Sequence, residues 1–164
     1  MKKVAIVMGS KSDAEALRPA VKTLESFGVE YTVRVLSAHR TPTAAAEFFA
    51  SLAKDGYGTV ICAAGKAAHL AGVAAGHTVL PVIGLPIKSS LMDGLDSLLS
   101  MVQMPSGVPV ACVGVGAGEN AALLAVQILA VGEPELAKKL AQYKVNMAEK
   151  IFADDKAIAD FYNN

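Results

Sequence analysis

Five short runs of β-branched and aliphatic residues constrain this chain more than any other feature. They are Val4–Met8, Tyr31–Leu36, Thr59–Ala63, Val79–Gly84 and Val108–Val113. Four of them are apolar nearly throughout, with no strict alternation. A strand reads that way when both its faces are covered, as in a parallel sheet flanked by helices. The second, Tyr31-Thr32-Val33-Arg34-Val35-Leu36, alternates more and belongs at an edge. Helical patterns fill the gaps. Ala14–Phe27 carries Leu17, Val21 and Leu24 at three- and four-residue steps and stops at Gly28. Thr43–Lys54 follows Pro42, Ala67–Ala75 is small and apolar, and Asp93–Val102 is amphipathic. Glu119–Val131 is apolar nearly all round and is expected to be buried, with a subunit interface as one place for it. Strands alternating with helices in this way predict an α/β, three-layer, flavodoxin-like doubly wound parallel sheet, order 2-1-3-4-5.

Past Gly132 the character changes. Glu133–Ala153 reads as a long charged helix with Pro134 in its tolerated first turn, and Asp154–Asn164 as a tail with Ile158, Phe161 and Tyr162 on one stripe. Residues 1–153 are therefore expected to form one domain and 154–164 a tail packed on a neighbouring subunit. Pro19 conflicts with a helix begun at Ala14, and a start near Ala16 removes the conflict; the sequence leaves both open.

Hydrophobic residues make up 53% of the 164 and charged residues 18%, which excludes a disordered chain and favours a homo-oligomer that hides apolar surface. Fifteen Lys and Arg balance fifteen Asp and Glu, so net charge recommends neither nucleic acid nor an anionic membrane as partner. Cys62 and Cys112 lie inside apolar runs, as buried hydrophobes do, which fits a reduced cytoplasmic setting. The opening apolar run ends at Gly9 without a cleavage pattern, unlike a signal peptide. The uncharged stretch between Lys66 and Lys88 holds His69, His77, Pro81 and Pro86, and reads as a buried helix and strand rather than a membrane span.

Ligands of doubly wound sheets bind beyond the carboxyl ends of the strands, and the polar residues cluster there. Gly9-Ser10-Lys11-Ser12-Asp13 follows the first strand and can hold an anion at a helix start, although Ser12 or Asp13 serves equally as a plain N-cap. The nucleoside-triphosphate loop pattern is absent. Ser37-Ala38-His39-Arg40-Thr41-Pro42 follows the second strand: arginine offers a planar donor fork suited to phosphate, and histidine is the side chain that titrates near neutral pH. Ala64-Gly65-Lys66-Ala67-Ala68-His69-Leu70 follows the third, with small residues that admit a ligand to the backbone and His69 ambiguous by itself. His77, at the far end of that helix, reads as structural. Gly114-Val115-Gly116-Ala117-Gly118 departs from the dinucleotide fingerprint in spacing and place. Three histidines and two cysteines far apart give no metal-ligand spacing, and no Cys–His pair is expected.

Taken together, these rim segments resemble the 5-(carboxyamino)imidazole ribonucleotide mutases of purine biosynthesis. The resemblance runs from Val4 to about Lys150. It adds Gly94-Leu95-Asp96-Ser97-Leu98, Val102-Gln103-Met104-Pro105-Ser106-Gly107-Val108-Pro109-Val110 and Asn120-Ala121-Ala122-Leu123-Leu124-Ala125 to the motifs above. It implies a cytoplasmic homo-octamer with sites at subunit contacts, a mononucleotide substrate, and neither cofactor nor metal. The implied reaction moves the carbamate carboxyl of aminoimidazole ribonucleotide to ring carbon C4. By matching motif, Ser10, Asp13 and Arg40 bind the ribonucleotide. Arg40, Ser12 and Ser37 face the phosphate and Asp13 the ribose hydroxyls. His39 carries the proton, and Gly65 with Ala67, Ala68, His69 and Leu70 holds the migrating carboxyl group.

The chain departs from that family's Ala-Gly-x-Gly-Gly-Ala-Ala-His-Leu-Pro-Gly pattern at Ala63, Lys66 and Ala71. Lys66 replaces a glycine, either strengthening carboxylate binding or pointing to solvent. The loop keeps its length and His69, which favours the mutase over the branch that carboxylates directly with carbon dioxide. A non-catalytic nucleotide-binding or signalling domain is a further alternative, but signalling receivers of this fold rely on an acidic acceptor, and the third strand ends without a carboxylate.

Overall fold

The computed structural model describes residues 1–163. Its five strands are β1 (Lys3–Met8), β2 (Tyr31–Val35), β3 (Tyr57–Ala64), β4 (Val82–Pro86) and β5 (Ala111–Cys112). They form one all-parallel sheet in the order β2-β1-β3-β4-β5. The edge position of the alternating strand is as expected.

Parallel strands need covering helices, and the pleat divides each strand between two cores. Val4, Ile6 and Met8 of β1 share one core with Ile61, Ile83 and residues of α1 (Arg18–Phe27), α5 (Gly118–Ala130) and α6 (Pro134–Tyr162). Ala5 and Val7 share the other with Val60, Cys62 and residues of α2 (Pro42–Ser51), α3 (Leu70–His77) and α4 (Leu95–Val102). Cys62 is wholly buried, and that burial pushes its thiol pKa up, so it acts as packing rather than as a nucleophile.

The Pro19 conflict resolves at the start of α1. Two 3-10 turns, Lys11–Asp13 and Glu15–Leu17, carry the chain to Arg18, and Pro19 falls in the first α-helical turn, where its missing N–H is no loss. At the other end Gly28 takes a left-handed φ of 70°, and the Val29 N–H donates to the Leu24 carbonyl, which closes the helix. Lys139 Nζ of α6 donates to the Phe27 carbonyl at 2.9 Å and ties the last helix to this one.

Several expected boundaries are corrected. β4 starts at Val82 rather than Val79, which is 92% exposed; the Pro81 carbonyl accepts from Thr59 Oγ1, but proline offers no N–H to extend the ladder. β5 pairs over two residues only, since Pro109 breaks the Val108–Val113 run. α3 begins at Leu70, not Ala67, and α4 at Leu95, after a left-handed Asp93 (φ 54°) and Gly94. α5 is buried within the subunit, where α1, α6 and the sheet cover it. At its start a Cβ on Gly118 would lie 2.9 Å from the Ala16 carbonyl oxygen, so only glycine fits that approach. α6 runs unbroken to Tyr162 instead of ending at Ala153, about 43 Å at 1.5 Å per residue. Leu136 is its buried anchor, and Ile151, Phe152, Ile158, Phe161 and Tyr162 are all at least 60% exposed. Among the described residues no helix is long and apolar enough to cross a membrane.

Candidate functional site

In a 2-1-3-4-5 sheet the connections leave β1 and β3 in opposite directions, which opens a crevice above their carboxyl ends. A cleft of about 580 Å³ lies there. Gly9, Ser10, Ser12 and Asp13 enter it from the β1 turn, Ser37, His39 and Arg40 from the β2 loop, and Gly65, Lys66, Ala67 and Leu70 from the β3 loop. Ala68, expected among the binding residues, is wholly buried beneath the rim. His77 is exposed at the far end of α3 and does not line the cleft.

The β1 and β2 loops are joined by Arg40. Its Nη2 donates to the Gly9 carbonyl at 2.8 Å and its Nε to Ser37 Oγ at 3.4 Å, while Ser37 Oγ also accepts from the Arg40 backbone N–H. Part of the planar fork is thus used to hold its own orientation, and the guanidinium charge stays at the rim. Ser12 Oγ donates to Ser10 Oγ at 2.9 Å, and the Ser12 N–H donates to the same oxygen. The hydroxyl group of Ser10 is therefore an N-cap for the first 3-10 turn, so the capping role falls to Ser10 rather than to Ser12 or Asp13.

Partial burial raises the Asp13 pKa above the usual carboxylate range, against the opposing effects of the Ser12 hydroxyl, the Ser10 backbone contact and the Arg40 charge. The ionised form is the penalised one, so its cost to stability is absent in strong acid and complete once pH exceeds the raised value. Asp13→Asn is therefore expected to raise the thermal midpoint at pH 7 and not near pH 3. The gain stays below about 1 kcal/mol because water screens a half-exposed group. Melting curves at the two pH values measure the difference.

His39 and His69 lie 30 positions apart and meet where the β2 and β3 loops approach each other. His39 Nε2 and His69 Nδ1 are 2.8 Å apart, with ring centroids at 5.0 Å and planes at 85°. One nitrogen donates and the other accepts, so the tautomers of the two rings are coupled and each restrains the orientation of its neighbour. His69 thus joins the site through His39.

The far wall was not foreseen from sequence. Ile87, Lys88, Ser89 and Ser90, past the end of β4, also line the cleft. The expected strand stopped at Gly84, which left these residues off the rim; a strand begun after Pro81 would have brought them to it. The hydrogen bond that Lys88 Nζ donates to Asp93 Oδ1 at 2.7 Å raises the Lys88 pKa. Ser97 of α4 is fully buried. It accepts from the Lys66 backbone N–H at 2.8 Å and donates to the Ile87 carbonyl at 2.9 Å, which locks the β3 and β4 loops together. Lys66 itself has φ 58°, a left-handed conformation that costs a non-glycine residue roughly 1–2 kcal/mol. Among the described residues no group of three or more His, Cys, Asp or Glu converges as a metal site would require.

The family model described as AIR carboxylase matches residues 3–150. The "N5-carboxyaminoimidazole ribonucleotide mutase" of Pyrococcus abyssi is 51% identical over 90% of this chain and 84% of its own length. The protein of that name from Saccharolobus solfataricus is 50% identical over 93% of this chain and 97% of its own. The crystal structure of Treponema denticola PurE superposes with a TM-score of 0.85 at 33% identity, covering 94% of this chain and 96% of that one. A match that takes in every strand and every wall of the cleft makes the chain a member of the AIR carboxylase family.

Proposed function

We propose that the protein interconverts 5-(carboxyamino)imidazole ribonucleotide and 4-carboxy-5-aminoimidazole ribonucleotide in purine biosynthesis. The observation that carries this reading is the oriented His39–His69 pair set between an arginine-bearing wall and a small-residue loop. The carbamate C–N bond breaks and its electron pair returns to the exocyclic nitrogen, releasing carbon dioxide in the cleft. The electron-rich C4 of the ring then attacks that carbon dioxide and forms the new C–C bond. The exocyclic nitrogen gains one proton and C4 loses one, so a single imidazole can carry it between them. His39 has that role. Holding the released molecule beside C4 is a proximity effect, served by the close walls of Gly65, Ala67 and Leu70. Ser12, Ser37 and Arg40 take the phosphate and Asp13 the ribose hydroxyls, with Ser10 binding the ribonucleotide beside them.

We place the enzyme in the cytoplasm as a homo-octamer, with residues 154–163 packed on a neighbouring subunit. The exposed Phe152, Phe161 and Tyr162, together with Leu91 at 80% exposure near the cleft, support a larger assembly.

Purified protein in bicarbonate-free buffer should convert the carbamate substrate at its full rate. Turnover restricted to free aminoimidazole ribonucleotide with bicarbonate would establish direct carboxylation instead, and binding with no turnover a non-catalytic domain. Arg40→Ala should raise KM about 10- to 100-fold, the worth of one or two charge-assisted hydrogen bonds, with a smaller change in kcat. Steady-state kinetics checks this, and an unchanged KM defeats the phosphate assignment.

A further inference from the structure

We propose that Lys66 determines specificity, its ammonium taking the carboxylate of the ligand while Arg40 takes the phosphate. The assignment rests on the mononucleotide reading above and deepens it. Three cationic side chains, Arg40, Lys66 and Lys88, line the cleft against the single carboxylate of Asp13. Two are already engaged: Arg40 with the Gly9 carbonyl and Ser37, Lys88 with Asp93. The ammonium of Lys66 has no hydrogen bond or ion pair among the described residues, and it is the cation left for a further anionic group.

Position separates it from Arg40. Arg40 bridges the ends of β2 and β1, Lys66 stands beyond β3, and neighbouring strands lie about 4.8 Å apart. The His39–His69 pair bridges the β2 loop that carries Arg40 to the β3 loop that carries Lys66. A ligand with its phosphate at Arg40 therefore extends its ring past the histidines toward Lys66.

The backbone supports the same assignment. A lysine at φ 58° persists where its surroundings fix it, and here Ser97 Oγ holds its N–H while Ser100 Oγ donates to its carbonyl at 3.3 Å. Those contacts hold the main chain whatever the side chain, so a glycine would sit there without strain. The side chain is the part of Lys66 that the fold does not need.

The test uses the full-length protein, with calorimetric titration of 4-carboxy-5-aminoimidazole ribonucleotide and of uncarboxylated aminoimidazole ribonucleotide. Lys66→Gln should weaken the first about tenfold or more, as loss of a charge-assisted contact does, and leave the second within twofold. Lys66→Arg should restore most of the difference. Lys66→Gly should show the same selective loss with a thermal midpoint no lower than that of the parent, which excludes damage to the fold. Equal weakening of both ligands, or no weakening of the carboxylated one, overturns the assignment while the mononucleotide reading stands. Failure of the parent protein to bind either ribonucleotide overturns both.

Discussion

His39→Asn should lower kcat by about 10²- to 10⁴-fold, the usual contribution of a positioned general acid–base group. Asparagine ends where His39 Nδ1 stood, so it gives up the Nε2 contact with His69 Nδ1 at 2.8 Å, while the bonds from the Ser37 N–H to Thr41 Oγ1 and from the Arg40 N–H to Ser37 Oγ still hold the loop. It cannot accept a proton from carbon at neutral pH, and that is the function removed. Binding of the ribonucleotide should stay within about threefold by calorimetry, because the proposed phosphate and ribose contacts come from other residues. Parallel loss of binding and turnover would make His39 a structural or binding residue. His69→Asn gives a useful contrast, since a residue acting through its neighbour should cost less.

The largest effect on stability is expected at Phe49. It lies in the last turn of α2 with no solvent exposure, in the core that also holds Val7, Cys62 and Leu52. Truncation to alanine removes the apolar contact and leaves a cavity, which together cost about 3–5 kcal/mol. For a domain of this size that lowers the thermal midpoint by roughly 10 °C. Denaturant unfolding should show a lower midpoint at unchanged m, and a loss below about 1 kcal/mol would mean that the site collapses around the gap. The variant also bears on the cleft, because α2 begins at Pro42, directly after the His39-Arg40-Thr41 segment.

Apolar runs made the sheet legible because a doubly covered strand has no other way to read. Its ends were less so. Val79-Leu80-Pro81-Val82-Ile83 is apolar on both sides of the proline, and only pairing shows that the ladder starts after it. A tail is expected after Ala153 because Ile158, Phe161 and Tyr162 form too small a stripe to fold alone, yet no glycine or proline follows Pro134, so nothing stops the helix short of Tyr162. In the site, the β1, β2 and β3 loops announced themselves by hydroxyls, charge and glycine. The β4 wall did not, because Lys88, Ser89 and Ser90 carry no motif and depend on a strand boundary for their position. That His39 and His69 touch was beyond sequence for a related reason: each stands out within its own loop, but only the folded sheet brings the β2 and β3 loops close enough for the rings to meet.

The fully buried hydroxyl of Ser97 ties two loops to one helix, whereas the contacts across the opposite wall, from Arg40 to Gly9 and Ser37, lie at exposed residues. Water competes for the second set and not for the first. The crevice is thus braced unevenly, and the amide of Lys66, held by a dry hydroxyl, should resist exchange with deuterium longer than the amide of Arg40.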